Sequence, residues 1–160
     1  MSLVGLVLLL TAADAPPPAT KPAEQKTAVA KAISADLRIR VIYAHSKTKV
    51  HDPKLADLEG SLKSLAYTAY ELKAENTALK VTVGGEAQTY VTPFGRHLVI
   101  SGQAHKKKGS VDQLSIQLEI PELKFKTKAW ISEGATLVIG GPKFEDGVLL
   151  FAVGAAAINN

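Results

Sequence analysis

The sequence contains no cysteine, only one methionine and one tryptophan, and aromatic residues make up just 6% of its 160 residues. Without cysteine the chain forms no disulfide, offers no thiolate nucleophile and cannot build the sulfur sites of zinc fingers or iron–sulfur clusters. Charged residues are also few, at 21%, against 46% hydrophobic residues. This balance excludes a wholly disordered chain, and the length suits one domain.

The sequence also lacks the motifs of several enzyme classes. It has no G-x-x-x-x-G-K-[ST] or G-x-G-x-x-G phosphate loop and no G-x-S-x-G nucleophile turn. His97 and His105 share one face of a predicted strand but lie roughly 27 Å apart, which is too far for a common metal. We therefore predict no catalytic residues, no cofactor and no metal ligand, and keep a hydrolase with an unrecognised site as an alternative.

The first residues carry a short apolar run. Residues 3–10 are apolar except for Gly5, and the small residues Ala12, Ala13 and Ala15 follow. This run is shorter than the roughly 20 residues that a membrane-spanning helix needs, so we predict no transmembrane span. We interpret residues 1–15 as a signal-like segment and predict export to the periplasm or the extracellular space. The alternatives are an apolar N-terminal strand, with a cytoplasmic location, and an uncleaved membrane anchor.

The chain after this segment changes character twice. Residues 16–34 are rich in proline and alanine and nearly free of large apolar groups, a composition that is typical of a tether. Residues 36–154 contain the patterns of a folded domain, and we predict residues 155–160 to be a tail. The sequence thus predicts one domain carried on an N-terminal tether.

Alternation of apolar and polar residues dominates residues 36–154 and predicts β-strands. The predicted strands cover residues 37–43, 67–73, 78–83, 87–92, 97–104, 113–120, 123–131, 136–139 and 148–153. Pro121 and Glu122 mark a turn, either a tight hairpin that places Glu119 across from Lys124 or a longer loop. In the first strand, Arg38 and Arg40 occupy the polar face.

One helix interrupts the strands. Asp52 can cap it and Pro53 suits its first position, after which leucines recur at three- and four-residue spacing over residues 53–65. Such a stripe needs an apolar surface to cover. We therefore predict an α+β fold: a mostly antiparallel sheet of seven to nine strands with one amphipathic helix packed on it. A β-sandwich with a helical insertion is the alternative.

Basic residues cluster at two places in the second half of the domain. The residues concerned are Lys106, Lys107 and Lys108 at a predicted hairpin tip, and Lys124, Lys126, Lys128 and Trp130 on one face of the next strand. A lysine row beside a tryptophan can bind an anionic polymer. Lysines also keep exposed strands from pairing with other chains, so a purely solvating role is the alternative.

These patterns predict a non-enzymatic, exported module of the cell envelope that binds a partner protein or an envelope polymer. A basic polyanion-binding domain is the alternative within the same class. Nucleic acid is not an expected partner, because export would separate the two and no array of stacking aromatic residues accompanies the lysines. The sequence gives no indication of oligomeric state.

Overall fold

The computed structural model of the protein describes residues 32–159. These residues form eight strands in two antiparallel sheets. This confirms the predicted β-rich α+β fold, and the number of strands lies within the predicted seven to nine. In chain order the strands are β1 (Ser34–His45), β2 (Ala69–Thr82), β3 (Gln88–Val91), β4 (His97–Lys108), β5 (Val111–Ile120), β6 (Phe125–Ser132), β7 (Thr136–Phe144) and β8 (Gly147–Asn159). Sheet I has the order β2–β1–β8–β7, and sheet II has the order β3–β4–β5–β6.

A single apolar core lies between the two sheets. Sheet I contributes inward side chains such as Leu37, Val41 and Phe151, and sheet II contributes residues such as Ile116 and Leu118, all fully buried. Isolated bridges from Val83 to Gly102 and from Glu133 to Ala155 join the sheets at two corners. The arrangement therefore combines the predicted antiparallel sheet with the face-to-face packing of the sandwich alternative.

The helical insertion covers the other face of sheet I. It consists of a 3₁₀ helix (Pro53–Leu58) followed by one turn of α-helix, α1 (Glu59–Leu62), rather than a continuous helix over residues 53–65. Its leucines at 55, 58 and 62 are buried against Ile42, Tyr70 and Leu150. As predicted, the Asp52 carboxylate accepts a hydrogen bond from the Lys54 backbone N–H, at 2.9 Å.

Strand β2 corrects the prediction of two strands separated at Glu75 and Asn76. Residues 69–82 stay in one strand because β2 is bulged against β1 at two places, and each bulge accommodates one extra residue of β2. The Asn76 side chain accepts a hydrogen bond from the Ala78 backbone N–H at 3.0 Å. The local hydrogen bond that Asn often makes in a turn is thus made here within a bulged strand.

The domain boundaries also need correction. Strand β8 continues through residues 155–159, where Ala155 and Ile158 are buried, so these residues belong to the sheet and not to a tail. At the other end, Ser34 already pairs with Asn159 and Thr82, one residue inside the predicted tether. The signal-like segment 1–15 and residues 16–31 of the tether lie outside the described residues.

Candidate functional site

The outer face of sheet II is the surface on which most of the predicted site residues lie. Inward side chains of β4, β5 and β6 belong to the core, and their alternating neighbours point away from it. The helical insertion covers sheet I instead, so no described element forms a second layer on sheet II. We call this surface the open face: Ser101, Gln103, Lys106, Lys108, Gln113, Ser115, Gln117, Glu119, Lys126, Lys128, Trp130 and Ser132.

Trp130 lies on β6, the edge strand of sheet II that borders the open face. Its side chain lies beside the small residue Ser115 of β5, and 43% of its surface is exposed. The Lys106 ammonium, from β4, lies 4.0 Å from the centroid of the Trp130 ring. At an exposed site such a cation–π contact stabilises by about 0.5–1 kcal/mol. The fold therefore holds one cation against one exposed indole, two strands apart in the sheet.

Two further lysines flank Trp130 on β6. Lys126 lies across from Glu119, and their charged groups are 3.3 Å apart. Lys128 lies across from Gln117 and forms no ion pair with any residue between 32 and 159. Lys106 and Lys128 are therefore the two cations on either side of the indole that the described part of the chain leaves unneutralised.

The remaining predicted lysines divide between the faces. Lys108, two residues beyond Lys106, points to the open face, whereas Lys107 lies 3.6 Å from the Asp112 carboxylate on the opposite side. Lys124 does not belong to the row, which corrects the prediction of three aligned lysines. A 3₁₀ turn (Pro121–Leu123) makes the connection longer than a tight hairpin, and Lys124 adopts a left-handed φ of 50° at its end.

The two arginines of β1, Arg38 and Arg40, do not form an exposed basic pair in the structure. Arg38 forms an ion pair with Glu75, and Arg40 is buried beneath the helical insertion, with only 2% of its side chain exposed. The Arg40 guanidinium donates two hydrogen bonds to the Asp57 carboxylate, at 2.7 and 2.5 Å. These bonds lower the pKa of Asp57 and raise that of Arg40. Arg40 therefore anchors the insertion and cannot belong to a binding surface.

Neutral polar groups on the open face were missed by the sequence analysis. The Gln103 amide donates to the Ser101 hydroxyl at 2.8 Å, and the Gln113 amide donates to the Ser132 hydroxyl at 2.9 Å. In the sequence, the alternation of Gln113, Ser115 and Gln117 with apolar residues indicates only that one face of the strand is exposed to solvent. Their role as a patch of donors and acceptors around Trp130 becomes visible only when three strands lie side by side.

Three of the four histidines, His45, His97 and His105, pair with a carboxylate. Among residues 32–159, no group of three or more histidine and acidic side chains is placed to hold a metal ion. His97 lies 2.5 Å from Glu122, and hydrogen bonding from His97 is the main reason that the pKa of Glu122 falls to about 2. His45 lies 2.9 Å from Glu71, a hydrogen bond that pins the end of β1 to β2.

Two pockets lie beside the helical insertion. One pocket of about 190 Å³ has His51, Asp52 and Glu59 on its walls, and a second, of about 280 Å³, lies between α1 and β7. Asp52 already accepts hydrogen bonds from the Lys54 and Leu72 backbone, and Glu59 is paired with Lys63 at 2.8 Å. The carboxylates of the first pocket are thus engaged in holding the insertion together.

No family model, curated protein or solved structure matches the chain significantly. Within residues 32–159, no helix has the length and apolar character that crossing a bilayer requires.

Proposed function

We propose that this protein is a non-enzymatic binding module that holds an anionic polymer on the open face of sheet II and acts at the cell envelope after export. The observation that carries the proposal is the exposed Trp130 with Lys106 against its ring and Lys128 on the same strand. An exposed indole among cations on an uncovered sheet suits a ligand that is extended and negatively charged.

The shape of the face favours a polymer over a small molecule. Small ligands are usually bound in concave sites that bury most of their surface. The open face instead spreads its polar side chains over neighbouring strands that lie about 4.8 Å apart. A chain molecule can contact such a surface at several points at once, and weak contacts then add up through multivalency.

Binding to a soluble polyanion tests this proposal, with dextran sulfate and polygalacturonate as the probes. We expect each to change the fluorescence of Trp130, which is the only tryptophan in the chain. The observed affinity should fall as salt rises, because bound lysines release counterions. Absence of binding to both polymers at low salt would overturn the proposal.

A triple variant identifies the surface. Lys106→Gln, Lys126→Gln and Lys128→Gln together should lower the affinity at least tenfold and flatten the salt dependence, because each lysine contributes about 1 kcal/mol near an anionic surface. The matched control replaces Lys49, Lys54 and Lys80, which are exposed elsewhere, by glutamine. Equal losses in the two triple variants would mean that only net charge matters and would remove the open face from consideration.

Export is a separate part of the proposal. It is supported by the apolar residues 3–10, the small residues after them and the proline-rich segment 16–34. Sequencing the N-terminus of the mature protein from its native host should give a start between residues 13 and 17. An intact Met1 on protein recovered from the cytoplasm would contradict export without affecting the binding test.

A further inference from the structure

We infer that the polymer held by the open face is an acidic polysaccharide, in which a sugar ring stacks on Trp130 and its acid group is bound by Lys106. This inference rests on the proposed function and specifies its ligand class. Three features of the open face favour sugars over phosphate polymers, acidic polypeptides and lipid headgroups: the surrounding amides and hydroxyls, the indole itself, and the sparse charge.

The first feature is the set of neutral groups around Trp130. Side-chain amides of Gln103, Gln113 and Gln117 lie on the open face with the hydroxyls of Ser101 and Ser132. Gln103 donates to Ser101 and Gln113 to Ser132, whereas the Gln117 amide donates to the Glu119 carboxylate. Amides and hydroxyls both donate and accept hydrogen bonds. Sugar hydroxyls also do both, whereas the oxygens of a polyphosphate only accept. The open face therefore carries acceptors for which a purely anionic polymer has no donors.

The second feature is the pairing of an indole with a cation. A pyranose ring has one face lined by C–H groups, which packs against the flat apolar surface of an indole. In the structure the Lys106 ammonium lies at the Trp130 ring, 4.0 Å from its centroid. Rotation of the flexible Lys106 side chain would uncover the ring while keeping its ammonium beside it. An acid group on the stacked sugar would then meet this cation.

The third feature is the low density of charge. Lys126 is 3.3 Å from Glu119, and the Glu119 carboxylate belongs to the same face. A carboxylate repels a ligand that carries closely spaced negative charges, as a polyphosphate or an anionic membrane does. A polysaccharide with one acid group per sugar can place its charges at Lys106 and Lys128 and its hydroxyls near Glu119.

A comparison of ligands at equal concentration of negative charge tests the inference. The probes are polygalacturonate, poly-L-glutamate, polyphosphate and phosphatidylglycerol vesicles, each titrated against the full chain by calorimetry and by Trp130 fluorescence. We expect polygalacturonate to bind at least tenfold more tightly than the other three. We also expect a galacturonate oligosaccharide to produce the same fluorescence change as the polymer.

Two variants separate stacking and hydrogen bonding from charge. Trp130→Ala and Gln113→Ala should each weaken polygalacturonate binding at least fivefold, measured by calorimetry, and leave binding to poly-L-glutamate within twofold. Thr77→Ala, an exposed substitution on β2 of sheet I and therefore outside the open face, is the control. Thermal melts establish that each variant is folded.

The outcomes distinguish the inference from the proposed function. If all four probes bind alike and only the lysine variants matter, the face is a general polyanion site and the sugar assignment is wrong. Binding to vesicles alone, or to polyphosphate in preference to polygalacturonate, would likewise overturn the sugar assignment. If no probe binds, both the inference and the proposed function fail.

Discussion

The outer faces of the two sheets share one sequence pattern, but a helical insertion covers the face of sheet I and the face of sheet II stays exposed. Basic residues alternate with core residues at Arg38 and Arg40 of sheet I and at Lys126 and Lys128 of sheet II. Arg40 is buried under the helical insertion, whereas both lysines stay exposed. The difference lies in what covers the face: the insertion brings Asp57 to Arg40, and no described element covers sheet II. A charged face is thus a structural anchor when covered and a candidate binding surface when open.

The largest expected difference between the faces is in packing. Leu58→Ala removes a buried side chain between the insertion and sheet I, and we expect it to lower the free energy of unfolding by about 2–5 kcal/mol. Trp130→Ala on the open face should lower it by less, because 43% of Trp130 is already exposed in the folded protein. Urea unfolding measures both values. Similar losses would mean that the open face is packed against something.

The Arg40–Asp57 pair should show the next largest effect. Asp57→Ala leaves the Arg40 guanidinium buried without its carboxylate, and we expect a loss of about 1–3 kcal/mol. This is less than for a fully buried pair, because 54% of the Asp57 side chain is exposed and water screens the charge. Adding Arg40→Met should restore most of the stability. A further loss in the double variant would show that the guanidinium contributes through other contacts.

Acid should weaken the covered face in particular. The Arg40 hydrogen bonds lower the folded-state pKa of Asp57 below its ordinary value near 3.8. Their stabilisation is therefore present above that ordinary value and is lost as the pH falls through the folded-state pKa. Asp57→Asn should be less stable than the unaltered protein at neutral pH, and the gap should narrow below pH 4. A constant gap between pH 7 and pH 2 would contradict this assignment.

The smallest stability effect is expected where we propose binding. Lys126→Gln with Lys128→Gln should change the free energy of unfolding by no more than about 0.5 kcal/mol, since the one ion pair removed, to Glu119, is exposed. Chemical denaturation of the double variant provides the measurement, and Lys49→Gln with Lys80→Gln is the matched control. A loss above 1 kcal/mol would give these lysines a structural role that competes with the proposed one.

The sequence predicted much of the fold because neighbouring residues carry the signal. Leu114, Ile116 and Leu118 alternate with polar residues, and they are buried in one face of β5 as that alternation requires. The helix cap at Asp52 is also a local feature, because its carboxylate accepts a hydrogen bond from a backbone N–H only two residues along the chain. The prediction was wrong at Asn76, which was assigned to a turn, and at Lys124, which was assigned to a strand, because both were assigned without knowledge of the partner strand. A bulge and a three-residue turn are decided by pairing with that partner, which the local pattern does not encode.

By itself, the sequence determined which side chains of each strand face inward, that a leucine-lined helical element covers a sheet, and that no disulfide holds the fold together. Only the tertiary structure decided which sheet is covered, that Arg40 is buried against Asp57, and that Lys106 rather than Lys124 joins Trp130. The physical reason is the distance along the chain between the residues that interact. Alternation and capping arise between residues close in the chain, whereas these contacts depend on the register of strands and on packing between distant segments.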